Sequence, residues 1–141
     1  AIIGETTEEN RHQLYQFGEH FGIAFQIQDD LLDLYGNPEK VGKQVGGDVL
    51  ANKKTLLSIL AKQHANEEQK NRLHLLQKES DTERKISETI TIFGDLQIQE
   101  LCRQEMKHHY GLAMDALSRV SSPNPITELE QLANFLFHRD Y

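Results

Sequence analysis

Apolar positions along the first third of the chain recur at three- and four-residue steps. Leu14, Phe17, Phe21, Ala24, Phe25, Leu31 and Leu32, with Gln28 among them, follow the period of an α-helix that buries one face. Thr6 or Thr7 is placed to cap its start, and Gly36-Asn37-Pro38 ends it. A glycine-rich loop over 37–47 follows, and then a short helix from Asp48 to about Gln63 carrying Leu56, Leu57, Ile59 and Leu60. From His64 to Lys85 polar residues dominate, with Leu73, Leu75 and Leu76 as the strong apolar anchors, which predicts an exposed helix. Ser80 or Asp81 begins another helix through Ile86, Ile90 and Phe93, and Gly94-Asp95 breaks it. A long helix runs on to about Val120. Ser121-Ser-Pro-Asn-Pro125 ends that one, with Pro125 suited to the first turn of a last helix through Leu129, Leu132, Phe135 and Leu136. No period-two alternation reads as a strand, so the pattern predicts an all-α fold.

Length and composition narrow the picture. At 141 residues the chain has the size of one domain. Its hydrophobic share of 38% implies a thin core and a large solvated surface. A net charge of -7 argues against a non-specific nucleic-acid binder and against attraction to anionic lipid. No apolar run approaches a membrane span. The single cysteine, Cys102, excludes an internal disulfide or a thiolate zinc cluster, fits a cytoplasmic location, and reads as a small buried hydrophobe. The opening Ala1-Ile-Ile-Gly has no initiator methionine and no basic leader, and resembles the tail of a helix, which points to a segment of a longer protein.

Three carboxylates interrupt the apolar run of the first helix. Asp29, Asp30 and Asp33 crowd toward one side of its last turns. There the negative end of the helix dipole disfavours each acid by a few tenths to about 1 kcal/mol. A divalent cation reverses that penalty, and Mg²⁺ takes carboxylate oxygens together with water and phosphate. The loop beyond supplies the opposite charge. Lys43 stands between Gly42 and Gly46, and Lys53 and Lys54 follow. Acids for Mg²⁺ beside loop lysines make a clamp for a diphosphate. The adjacent His108 and His109 point to different sides of a helix and read as surface residues. Gly18 and Gly22 read as packing devices.

This stretch resembles the second aspartate-rich region of the trans-prenyl diphosphate synthases, the farnesyl and geranylgeranyl diphosphate synthase family. The matching residues are Gly22-Ile-Ala-Phe25-Gln26-Ile-Gln-Asp29-Asp30-Leu-Leu-Asp33, then Gly42-Lys43-Gln-Val-Gly46-Gly47-Asp48, then Lys53-Lys54-Thr55. The resemblance implies the isoprenoid-synthase helical bundle, with residues 1–141 as the C-terminal part of one such domain. It implies head-to-tail condensation of an allylic diphosphate with isopentenyl diphosphate after Mg²⁺-dependent ionisation of the allylic diphosphate. Asp29 would ligate magnesium directly, with Asp30 and Asp33 supporting it. Lys43 and Lys53 would bind diphosphate, Gln26 would contact the allylic diphosphate, and Phe25 would sit beside the isopentenyl group. Phe135-Leu-Phe-His-Arg139 looks like the C-terminal helix, which carries a basic residue. The full-length protein would be a homodimer.

The family's first acid motif has no counterpart in these 141 residues, so the chain alone is expected to be inactive. Two other classes fit part of the pattern: a non-catalytic helical partner of a prenyl synthase, and another Mg²⁺-dependent terpene-type synthase. Retention of Asp29 and Lys43 weighs against the first. The Phe25-Gln26 pair and the Gly42-Lys43 loop weigh against the second.

Overall fold

The computed structural model of the chain describes residues 7–37, 39, 45–121 and 127–138. Among these residues the regular elements are helices: α1 (Glu8–Tyr35), α2 (Gly47–Leu50), α3 (Leu56–His64), α4 (Glu67–Leu76), α5 (Thr82–Asp95), α6 (Ile98–Ser118) and α7 (Thr127–Phe137). The Asn10 N–H donates to Thr7 Oγ1 at 3.1 Å, which makes Thr7 the cap of α1. Asp81 caps α5 by accepting from the Arg84 N–H. The residues divide into two compact units, one drawn from 1–28 and 105–140, the other from 29–104. Helices α1 and α6 contribute to both.

In the first unit Phe17 is buried with Ala113, Ala116, Leu117 and Ala133, and Phe21 packs against that cluster. Alanines three residues apart on α6 leave room for the aromatic residues of α1. Rings of Phe17, Phe21 and Phe25 stack along α1 at 5.6 and 6.2 Å between centroids. Side-chain amides tie the helix ends together. The Ser121 N–H donates to Asn10 Oδ1 at 2.9 Å, and Gln28 donates to the Phe137 carbonyl. Gly18 and Gly22 do not act as packing devices among the described residues. A Cβ at either would meet nothing within 4 Å.

In the second unit α5 packs against both α2 and α4. Glu88 on α5 pairs with Arg72 on α4 and with Arg84 one turn back, and the hydrogen bond from Arg84, more than any other contact, holds the Glu88 carboxyl below its ordinary range. Lys85, only 5% exposed, donates from Nζ to the carbonyls of Leu50 and Gln77, each at 3.3 Å. Cys102 is fully buried, as its small apolar character implied.

The single helix expected over 48–63 is two helices. After Leu50 the chain closes a Schellman turn. Lys53 N–H donates to the Asp48 carbonyl at 2.9 Å and Asn52 N–H to the Val49 carbonyl at 3.1 Å. Asn52 takes φ 53°, a left-handed conformation that asparagine tolerates better than most side chains. Thr55 then starts α3 with a capping box: its side chain accepts from the Ser58 N–H while the Ser58 hydroxyl serves the Thr55 N–H. Asn66 and Gln69 repeat the device at α4. The expected surface helix is α4, in which Leu75 is exposed but Leu76 is buried.

Candidate functional site

The end of α1 places Asp29, Asp30 and Asp33 on its last two turns. Asp29 is half-buried, whereas Asp30 and Asp33 are buried at 7% and 4% exposure. Asp33 serves the loop. Its Oδ2 accepts the Asp48 N–H at 2.9 Å, and its carbonyl accepts the Gly46 N–H at 2.6 Å. Together these bonds dock residues 46–48 onto the end of α1. Gly46 meets a double demand there. Its φ is +86°, and a Cβ would stand 2.8 Å from Ile86 Cδ1, so both backbone conformation and space call for glycine.

A cavity of about 160 Å³ opens beside this junction. Asp30, Asp33, Asp48 and Lys53 form part of its polar wall. Leu57, Leu76 and Phe93 supply apolar lining. Lys53 approaches Asp48 at 3.8 Å and is half-exposed, a position fixed by the turn that ends α2. Its ammonium therefore stands at the cavity with a carboxylate beside it.

Phe25 and Gln26 belong to the first unit. Phe25 is half-buried against Phe21, and Gln26 is exposed; the buried glutamine of this stretch is Gln28. Lys43, Gly42 and Arg139 lie outside the described residues. The reading of His109 as a surface residue is corrected. Its ring is half-buried and its Nδ1 meets Nδ1 of His20 at 3.0 Å. The chelating geometry considered for neighbours on one helix could not find a partner 89 positions away.

Among the described residues no three His, Cys, Asp or Glu side chains form a group able to hold a metal ion by themselves. The donor chemistry fits Mg²⁺ in a looser way. That ion is commonly held by one or two carboxylates together with substrate phosphates, and Asp29 offers a half-buried carboxylate.

A sequence model of the family described as Polyprenyl synthetase matches residues 1–93. The chain belongs to the polyprenyl synthetase family. The short chain isoprenyl diphosphate synthase of Methanothermobacter thermautotrophicus is 30% identical over 141 residues, covering all of this chain and 43% of the relative. Its counterpart in Methanocaldococcus jannaschii is 39% identical over 93 residues, which are 65% of this chain and 28% of that protein. The crystal structure of geranylgeranyl pyrophosphate synthetase from Pyrococcus horikoshii superposes with a TM-score of 0.88 at 32% identity, over 99% of this chain and 42% of that one. A polyprenyl synthetase from Streptomyces coelicolor gives 0.85 at 27%. The fold is thus the all-α isoprenoid-synthase fold. The chain spans less than half the length of these relatives. Among the described residues no helix is long and apolar enough to cross a membrane.

Proposed function

We propose that the chain is the C-terminal part of a prenyl diphosphate synthase domain and forms the diphosphate-binding wall of its active site. The observation that carries this reading is the Asp33 junction: one turn beyond Asp29, inside the family-matched segment, it fixes the loop leading to Lys53. In the reaction the allylic C–O bond breaks, diphosphate departs, the double bond of isopentenyl diphosphate attacks the cation, and a proton is lost. Lys43 and Lys53 neutralise charge on the departing diphosphate. Asp29, supported by Asp30 and Asp33, would hold Mg²⁺, which when bound supplies further positive charge against the diphosphate. Asp33 works through the backbone, keeping residues 46–48 on α1. Gln26 orients the allylic diphosphate, and Phe25 contributes apolar surface beside the isopentenyl group, where water must be kept from the cation.

The isolated 141 residues contain one acid cluster where the reaction needs two, so they make no product alone. In the cell the complete enzyme would be a cytoplasmic homodimer. The test replaces the corresponding segment of the Methanothermobacter synthase with this chain and follows product formation from allylic and isopentenyl diphosphates with Mg²⁺. An active chimera, inactive chain alone, and a loss of kcat of about 10²–10³-fold in Asp29→Asn are expected. A folded but inactive chimera would instead support a non-catalytic partner module.

A further inference from the structure

His20 on α1 and His109 on α6 lie within one compact unit. Their Nδ1 atoms face each other at 3.0 Å. The rings are nearly parallel, with centroids 5.3 Å apart and 27° between planes, and both are half-buried. Nε2 of His109 looks toward Glu105 Oε2 at 3.9 Å. His108 meets the same ring edge-on at 5.4 Å. None of these residues takes part in the reaction proposed above.

A neutral pair in this arrangement shares one proton: one Nδ1–H donates and the other Nδ1 accepts. Moving the donor ring's proton from Nδ1 to Nε2 leaves both Nδ1 lone pairs available, facing each other across the gap between the rings. Both nitrogens lie close to the line between the ring centroids, so an ion bound at 2.0–2.1 Å enters when the rings move about 1 Å apart or turn off that line. Glu105, 3.9 Å from Nε2 of His109, is near enough to accept that N–H after a small side-chain movement, and a ligating imidazole commonly directs its other N–H to a carboxylate.

We propose that His20 and His109 form a two-imidazole site for a transition ion of the zinc, nickel or copper class, bridging α1 and α6. Imidazole nitrogens suit these ions, whereas magnesium selects oxygen donors, so the site is chemically separate from the acids at the end of α1. Water completes the coordination, and binding shifts the donor ring to its Nε2–H tautomer, so both imidazoles bind as neutral ligands. With two protein ligands the ion is exchangeable, unlike the closed four-ligand structural zinc sites.

The test is a titration of the chelator-treated chain with Zn²⁺ and Cu²⁺ at pH 7.5, where ordinary imidazoles are neutral. One ion per chain, a raised Tm and a Cu²⁺ electron spin resonance spectrum showing two nitrogen ligands are expected. His20→Asn and His109→Asn should each weaken binding at least about tenfold, and Glu105→Gln by a smaller factor. His12→Asn with His74→Asn should leave it unchanged. Undiminished binding in the His20→Asn/His109→Asn double variant would overturn the proposal. So would a wild-type Cu²⁺ spectrum with one nitrogen or none, a readout that does not depend on any variant folding.

Discussion

Asp33 illustrates how one residue can belong to a site without touching what the site binds. Its carboxylate is turned to the Asp48 N–H, so Asp33→Ala strands a donor at a junction where the carboxylate itself is 4% exposed. A loss of about 1–3 kcal/mol is expected, seen as a lower urea midpoint with an unchanged slope. The acid cluster was legible in the sequence as a cluster, but the difference between a half-buried Asp29 and a buried Asp33 was not. It depends on Gly46 and Ile86, forty positions apart, meeting at a contact that admits no side chain on Gly46. His109 carries the second prediction at this scale. Burial first, then the neighbouring His20 and His108, push its pKa below the ordinary 6.5, with Glu105 opposing. The unfolded chain therefore takes up the proton at a higher pH than the folded one. Stability attributable to His109 is complete above 6.5 and is lost as pH falls through that value toward the folded pKa. Urea unfolding in chelator at pH 7.5 and 6.0 should show this loss in the wild type and a flatter dependence in His109→Gln.

At the scale of elements, local chemistry decided the boundaries. Thr7 and Asp81 start α1 and α5 where the cap residues stand in sequence, and α1 stops at Tyr35, just before Gly36-Asn37-Pro38. Periodicity does not mark the break between α2 and α3, because Leu50 and Leu56 to Leu60 continue one apolar pattern. The overriding signals were Asn52, which accepts a left-handed turn, and the Thr55-Ser58 box. That break matters for function, since it takes Lys53 out of a helix and brings it to the cavity with Asp48. Thr55→Ala should cost about 0.5–2 kcal/mol, measured by thermal or urea unfolding, and Thr55→Ser should restore most of it.

For the whole molecule, the all-α architecture was legible from periodicity and from the absence of alternating runs. The grouping into two units was not, because α1 and α6 each serve both and nothing in a helical pattern marks where a helix changes neighbours. In the function proposed above, the end of α1 and the segment that follows it form a diphosphate wall requiring Mg²⁺ and Asp29. Calorimetric titration of inorganic pyrophosphate into this chain, with and without Mg²⁺, tests it most directly. Binding that needs Mg²⁺ and weakens at least about tenfold in a folded Asp29→Asn variant is expected. Binding that is the same without Mg²⁺, or the same in Asp29→Asn, would contradict it.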